Sequence, residues 1–192
     1  MKGFLDFIVS PVGERYSNEV KIGNKKLIVN SKIENFKSVN NLAKVISTPA
    51  VFKTNIKKGD LVLLHHNVFR RFYDIKGREK NSRSYFKDNK YLVSLDQIYL
   101  YKSSNDWKTM LDRCFVAPLK NEDKTKINNL EVRKGIIVYD NNTLNSLNIY
   151  KGDLVSYKKS REFEFVVDGK LLYCMKSNDI LIHHEYEGNE KE

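Results

Sequence analysis

Proline and glycine are scarce in this chain, at 3 and 9 of 192 residues, which excludes collagen-like and low-complexity classes. Aromatics reach 11% and apolar residues 41%, so a wholly disordered chain is excluded as well. Cysteine is scarcer still. Two in a chain of this length do not make a disulfide framework, and a reducing compartment is expected. Long apolar runs are missing: Leu61-Val62-Leu63-Leu64 is among the longest and is far too short to cross a bilayer as a helix. Met1-Lys2 leads into Phe4-Leu5-Asp6 without the uncharged stretch and small-residue cleavage site of a signal peptide, so a cytoplasmic protein with no membrane partner is expected. Acid is in deficit too. Lys and Arg number 34 against 24 Asp and Glu, a formal +10, and that balance first suggests a polyanion partner.

What is present reads as strand. Phe7-Ile8-Val9, Ala43-Lys44-Val45-Ile46, Asp60 to Leu64, Lys90 to Val93 and Gln97 to Tyr101 are short, rich in β-branched and aromatic residues, and bounded by turn formers. Arg113 to Val116, Gly135 to Tyr139, Asp153 to Tyr157, Glu162 to Val167 and Lys170 to Met175 continue the style. Val167-Asp168-Gly169-Lys170 carries the Asp-Gly hairpin signal. Helical periodicity is nowhere sustained; Asn105 to Arg113 allows one or two turns at most. An all-β protein is expected.

The chain also repeats itself. Lys58-Gly59-Asp60-Leu61-Val62 returns as Lys151-Gly152-Asp153-Leu154-Val155. Upstream of each lies a strand ending in proline, Phe7 to Pro11 and Phe115 to Pro118. Downstream lies a strand, a gap and an acid-led strand, at Asp96 and at Asp179. Gly takes φ > 0 at such a reversal, and the Asp carboxylate accepts from nearby backbone amides. A lone Lys-Gly-Asp is a generic β-turn, but four landmarks in the same order are an internal duplication. The first copy has the longer early loop, Gly13 to Asn41, and a longer late insertion. The polar run Lys102 to Asp106 marks the boundary, giving expected halves of 1–104 and 105–192.

This ordered set resembles the GroES-like co-chaperonin family, whose subunit is an irregular β-barrel. The second half carries the likeness best, in Leu111-Asp112-Arg113-Cys114-Phe115-Val116-Ala117-Pro118, Arg133 to Val138, Ile149-Tyr150-Lys151-Gly152-Asp153-Leu154-Val155 and Ser177-Asn178-Asp179-Ile180-Leu181. The first half matches more loosely, in Phe7 to Pro11, Leu42 to Ile46, Ile56 to Val62 and Ser94 to Ile98. The resemblance implies two tandem GroES-like barrels in a non-enzymatic, cofactor-free co-chaperonin. Its partners would be a GroEL-like chaperonin ring and further copies of itself, seven chains matching a seven-subunit ring. The Lys/Asn-rich composition without a targeting peptide fits a phage-encoded member, acting in the host cytoplasm.

Family members bind their chaperonin through an apolar tripeptide on a mobile loop. Leu27-Ile28-Val29, with Gly23 upstream, is similar to that tip and is the implied chaperonin-binding site. The same residues also read as a plain strand paired with Glu19-Val20-Lys21-Ile22 through a Gly23-Asn24 turn. The second copy has only Lys120 to Arg133 here and no aliphatic triplet. The family's roof hairpin has little room in Ser47 to Lys57 or Asp140 to Tyr150, so an open or thin roof is expected.

Three other features compete for function. His65 to Lys90 holds eight Lys/Arg (Arg70, Arg71, Lys76, Arg78, Lys80, Arg83, Lys87, Lys90) against Asp74, Glu79 and Asp88, with Phe69, Phe72, Tyr73, Tyr85 and Phe86 interleaved. Such a mixture holds single-stranded nucleic acid by phosphate contact and stacking. With those aromatics needed to anchor the insertion, however, nucleic acid is the less expected partner. Arg70, Arg71, Arg78 and Arg83 are the candidate basic patch. His65-His66 and His183-His184 are adjacent in sequence and would face opposite ways on a strand, so no metal site is expected from either pair. Cys114 and Cys174 read as buried apolar residues, and no catalytic constellation is visible. The alternatives to a co-chaperonin are a virion structural or assembly protein and a basic nucleic-acid-binding barrel.

Overall fold

The structure is a computed structural model and describes residues 2–16, 19–22, 25–28, 38–119, 125–127, 130–159 and 163–184. The chain divides into two compact units, Met1–Trp107 and Lys108–Glu192, against an expected division at 104/105. The fold is all-β. In the first unit the strands are β1 (Phe7–Pro11), β2 (Glu19–Ile22), β3 (Lys25–Ile28), β4 (Leu42–Ser47), β5 (Leu61–Leu64), β6 (Phe72–Tyr73), β7 (Glu79–Lys80), β8 (Tyr85–Lys87), β9 (Lys90–Val93) and β10 (Ile98–Ser103); β11 (Asp106–Thr109) spans the boundary. The second unit holds β12 (Arg113–Pro118), β13 (Thr125–Ile127), β14 (Leu130–Tyr139), the helix α1 (Asn142–Ser146), β15 (Leu154–Lys158), β16 (Phe163–Val167), β17 (Lys170–Lys176) and β18 (Ile180–His184). Among the described residues no helix is long and apolar enough to cross a membrane.

The duplication is exact in topology. The first sheet runs β11-β10-β5-β4-β1-β9-β8, and the second, from its far end, β18-β15-β14-β12-β17-β16. Strand for strand, β10-β5-β4-β1-β9-β8 therefore repeats. Registers repeat as well. Val9 stands opposite Val45 and Pro11 opposite Ala43, while Val116 stands opposite Ile137 and Pro118 opposite Gly135. Each pair of strands carries its irregularity at the same place, between Ile8 and Val9 and between Phe115 and Val116. A bulge is one inserted residue that bends the strand, so its recurrence shows both copies bending alike.

This equivalence extends to the packing. Phe7 corresponds to Cys114, Val9 to Val116, Val45 to Ile137, Ile56 to Ile149, Val62 to Val155, Leu64 to Tyr157, Tyr91 to Tyr173 and Val93 to Met175, and all sixteen are buried. Their volumes differ within pairs, yet the apolar pattern that drives burial, at roughly 1.5–3 kcal/mol for a large side chain, is kept. On the opposite face of the second sheet, the Phe115 ring packs on Phe165 and Tyr139 with centroids 5.8 and 6.0 Å away.

Several expectations change. The sheets are open: among the described residues neither end strand pairs with the opposite edge, so neither sheet closes into a barrel. Strand β8 supplies only three residues, all exposed, and β16 leaves Phe163, Glu164 and Val166 facing solvent. Asp106–Thr109 is strand rather than a helical turn, because Ser104 and Asn105 take φ of 59° and 95° and reverse the chain onto β10. The acid-led strand of the first copy aligns one residue later than its sequence suggests. Gln97, not Asp96, matches Asp179: the Gln97 side chain accepts from the Ser94 amide at 3.2 Å, and the Asp179 carboxylate from the Lys176 amide at 3.3 Å. No roof hairpin occupies 47–57 or 140–150; the latter holds α1, capped by Asn141, whose Oδ1 accepts from the Leu144 amide at 2.9 Å.

Candidate functional site

The early loop of the first unit is closed at its base. Tyr16 and Val39 form an antiparallel bridge, and both side chains are buried. Beside them, Asn40 donates through Nδ2 to the carbonyls of Val12 and Glu14 at 2.8 and 2.9 Å, and its backbone amide donates to Arg15 O at 2.9 Å. Asn serves here because its amide carries two donors and can span two carbonyls at once.

That base is tied to the late insertion. Arg15 donates through Nε and Nη2 to the Phe69 carbonyl at 3.2 and 2.9 Å, and through Nη1 to Asn81 Oδ1 at 2.9 Å. The Tyr16 hydroxyl accepts from the Arg71 amide at 2.6 Å, and the Arg71 guanidinium lies over the Tyr16 ring at 4.1 Å. Ser82 Oγ donates to the Val68 carbonyl and pins the insertion from below. The two elaborations of the first copy are thus one built feature. Sequence reading treated them separately because 54 or more positions separate the partners.

Above this base, β2 and β3 form their own two-stranded sheet, with Val20 opposite Leu27 and Glu19 opposite Ile28. Leu27 and Ile28 are therefore strand residues of a hairpin, while Val29 lies outside the described residues. In the second unit the corresponding segment is a shorter hairpin, β13 on β14, continuous with the main sheet.

The insertion itself comprises a turn His66–Val68, the hairpin β6–β7 and the end strand β8. Only Phe69 of its five aromatics is fully buried; Phe72, Tyr73, Tyr85 and Phe86 are 41%, 43%, 36% and 46% exposed. The basic patch is redrawn as well. Arg71 is buried under Tyr16 and 3.5 Å from Glu79, so it offers no surface charge, whereas Arg78 and Arg83 are exposed and Arg70 half-buried.

Gly59-Asp60 and Gly152-Asp153 form one turn made twice. Gly59 has φ +97° and Gly152 +102°. Asp60 Oδ2 accepts from the Lys57 amide at 2.8 Å and Asp153 Oδ2 from the Tyr150 amide at 2.9 Å. The Gly59 amide reaches Val45 O and the Gly152 amide Ile137 O, each at 2.8 Å. These residues shape the sheet and face no cleft chemistry. In the second copy the turn has an added partner, His183 Nε2 at 3.0 Å from Asp153 Oδ2.

Other histidines, the cysteines and two tyrosines have local contacts or shifted titration. His65 and His66 are stacked, with centroids 4.3 Å apart, and His65 Nδ1 accepts from the Asn67 amide at 3.1 Å, so the pair caps a turn rather than extending a strand. Burial first, then His65 and Arg70, pull His66 down to about 4. His184 Nε2 lies 2.7 Å from Ser156 Oγ. Burial pushes both thiols up, Cys174 to about 12, and raises the Tyr91 and Tyr139 phenols. Among the described residues no group of three or more His, Cys, Asp or Glu is placed to hold a metal ion. No family model and no curated protein matches the chain.

Proposed function

We propose that the protein is a tandem GroES-like co-chaperonin, a non-enzymatic cap that docks on an ATP-charged chaperonin ring and assists folding in the chamber beneath. The observation that carries this reading is the hairpin β2–β3, a two-stranded sheet of its own within a loop whose base is buttressed, in the first of two units that share a six-strand order. The likeness in motif order described above supplies the family. Leu27, Ile28 and Val29 would be the contact. Three aliphatics contribute several kcal/mol gross on burial, much of it offset by ordering, and a ring of such chains adds weak contacts into firm attachment. One loop with an aliphatic triplet per chain fits seven chains on a seven-subunit ring.

The test is a pull-down with a purified GroEL-type chaperonin, with and without ATP, followed by electron microscopy of the complex. Capture only with nucleotide, lost in Ile28→Asp at unchanged melting temperature, supports the reading; capture that survives Ile28→Asp removes the loop assignment. A second reading, a virion structural or assembly protein, is favoured by the exposed end strand β16, where Phe163 and Val166 are 51% and 65% exposed. Such a strand suits edge-to-edge assembly. Co-purification with particles, and no chaperonin capture, would favour it.

A further inference from the structure

We propose that the insertion spanning Arg70 to Lys87 is a binding site for single-stranded nucleic acid. The sequence weighs against this, because five aromatics look necessary to anchor the segment. Anchoring falls instead to Phe69, to the Tyr16–Arg71 contact and to Tyr85, whose ring packs on the buried Tyr91 at 5.5 Å, and Phe72, Tyr73 and Phe86 are left on the surface.

The charge accounting also moves. The acids of the wider stretch His65 to Lys90 each lie near a cation or a backbone amide. Glu79 faces the buried Arg71 at 3.5 Å. Asp74 Oδ1 accepts from the amides of Lys76 and Arg78 at 2.9 and 2.8 Å, and its other oxygen lies 4.0 Å from Lys80 Nζ. Asp88 lies 3.9 Å from Lys90 Nζ. Lys76, Arg78 and Arg83 are exposed, and among the described residues their side chains form no ion pair; Lys87 is exposed next to Phe86. Pairing leaves the net charge of residues 65–90 at +5 and concentrates it on Arg70, Lys76, Arg78, Arg83 and Lys87.

Cations and rings alternate at close range. The Arg70 guanidinium lies 5.4 Å from the Phe72 ring and the Lys87 ammonium 5.5 Å from Phe86. A single strand of nucleic acid uses both kinds of contact, cations for its phosphates and flat rings for its bases. Duplex bases are stacked on each other and cannot use the rings, so the site selects single strands. Every base has a π-face, so recognition by ring and phosphate contacts is sequence-tolerant.

The full chain is titrated against fluorescently labelled oligothymidylate and oligouridylate, with a duplex of equal length as competitor. Binding should weaken with salt, and Arg78→Ala or Arg83→Ala should each lower the slope of log K against log salt by roughly 0.7. Phe86→Ala should weaken binding by about five- to a hundredfold and leave the slope unchanged, since a stacked base contributes roughly 1–3 kcal/mol. All three residues are exposed, so the melting temperature should hold. No binding at low salt, a salt-independent affinity, or a duplex that competes equally would overturn the site. Equal competition by polyglutamate would do the same and point to an acidic protein partner. Ile28→Asp should leave this binding intact, which separates its outcome from that of the chaperonin reading.

Discussion

The guanidinium of Arg71 lies 4.1 Å above the ring of Tyr16, while the backbone amide of Arg71 donates to the hydroxyl of that same tyrosine at 2.6 Å. One residue thus grips another through both its charge and its backbone, across 55 positions of chain. Tyr16→Phe keeps the ring but strands a buried amide, and it should cost about 1–3 kcal/mol in denaturant unfolding. Arg71→Ala removes the stacked cation and its packing. Combined with Tyr16→Ala, which removes the ring beneath that cation, Arg71→Ala should deviate from additivity by roughly 0.5–3 kcal/mol. Additive losses would mean that the loop base and the insertion are energetically separate.

The twin turns make a paired prediction. Gly59 and Gly152 have open space where a Cβ would stand, so Ala meets no clash there and suffers only from the positive φ. Each Gly→Ala should cost roughly 1–2 kcal/mol. Gly135 is the contrast: a Cβ there would lie 2.4 Å from Val116 Cγ1 and 2.6 Å from Ala117 O. Gly135→Ala should therefore destabilise more than either turn variant, by chemical denaturation of the same chain. A smaller loss at Gly135 would contradict the strand approach seen there.

His66 gives stability a pH dependence. In the folded chain it is held near 4, by burial first, against an ordinary value of 6.5. Between those values the unfolded chain takes up a proton that the folded chain refuses, so this contribution is complete above about 6.5 and is lost as pH falls toward 4. The ring is only partly buried and screening is substantial, which limits the loss to roughly 1–2 kcal/mol. His66→Gln should flatten that limb of the stability profile relative to the parent chain. An unchanged profile would place the acid sensitivity elsewhere.

The duplication and the strand content were legible because they rest on local signals. Gly-Asp turns, β-branched runs and the Asp168-Gly169 hairpin announce themselves within a few residues. Asp88-Asn89 makes the same kind of turn, with φ of 48° and 55°, but Asp-Asn is a weaker signal than Asp-Gly and passed unnoticed. The Arg15–Phe69 and Tyr16–Arg71 contacts could not be read at all, since nothing local to Arg15 or Tyr16 marks a partner so far along the chain. Exposure of Phe72 and Phe86 was misjudged for a related reason. Aromatic residues usually anchor, and only the packing reveals that Phe69 already does so. Barrel closure failed to follow from the motifs because it depends on whether the end strands pair with the opposite edge, which no local motif encodes.

Cys114 and Cys174 sit on neighbouring strands yet cannot meet. Cys114 stands opposite Met175, and Cys174 opposite Phe115, so the two sulfurs occupy opposite faces of the sheet. Both are buried free thiols, and burial raises both above their ordinary value, Cys174 to about 12 despite Arg113 nearby. The thiolate is the reacting species, so the native chain should resist iodoacetamide at mildly alkaline pH and react at both sites only once unfolded. Phe165 lies on the Cys174 side, packed on Phe115 and opposite Leu172. Phe165→Ala should open a cavity there, costing about 3–5 kcal/mol, and peptide mapping should find Cys174 alkylated before Cys114. Cys114 reacting first would show that the two faces of this sheet do not protect their thiols independently.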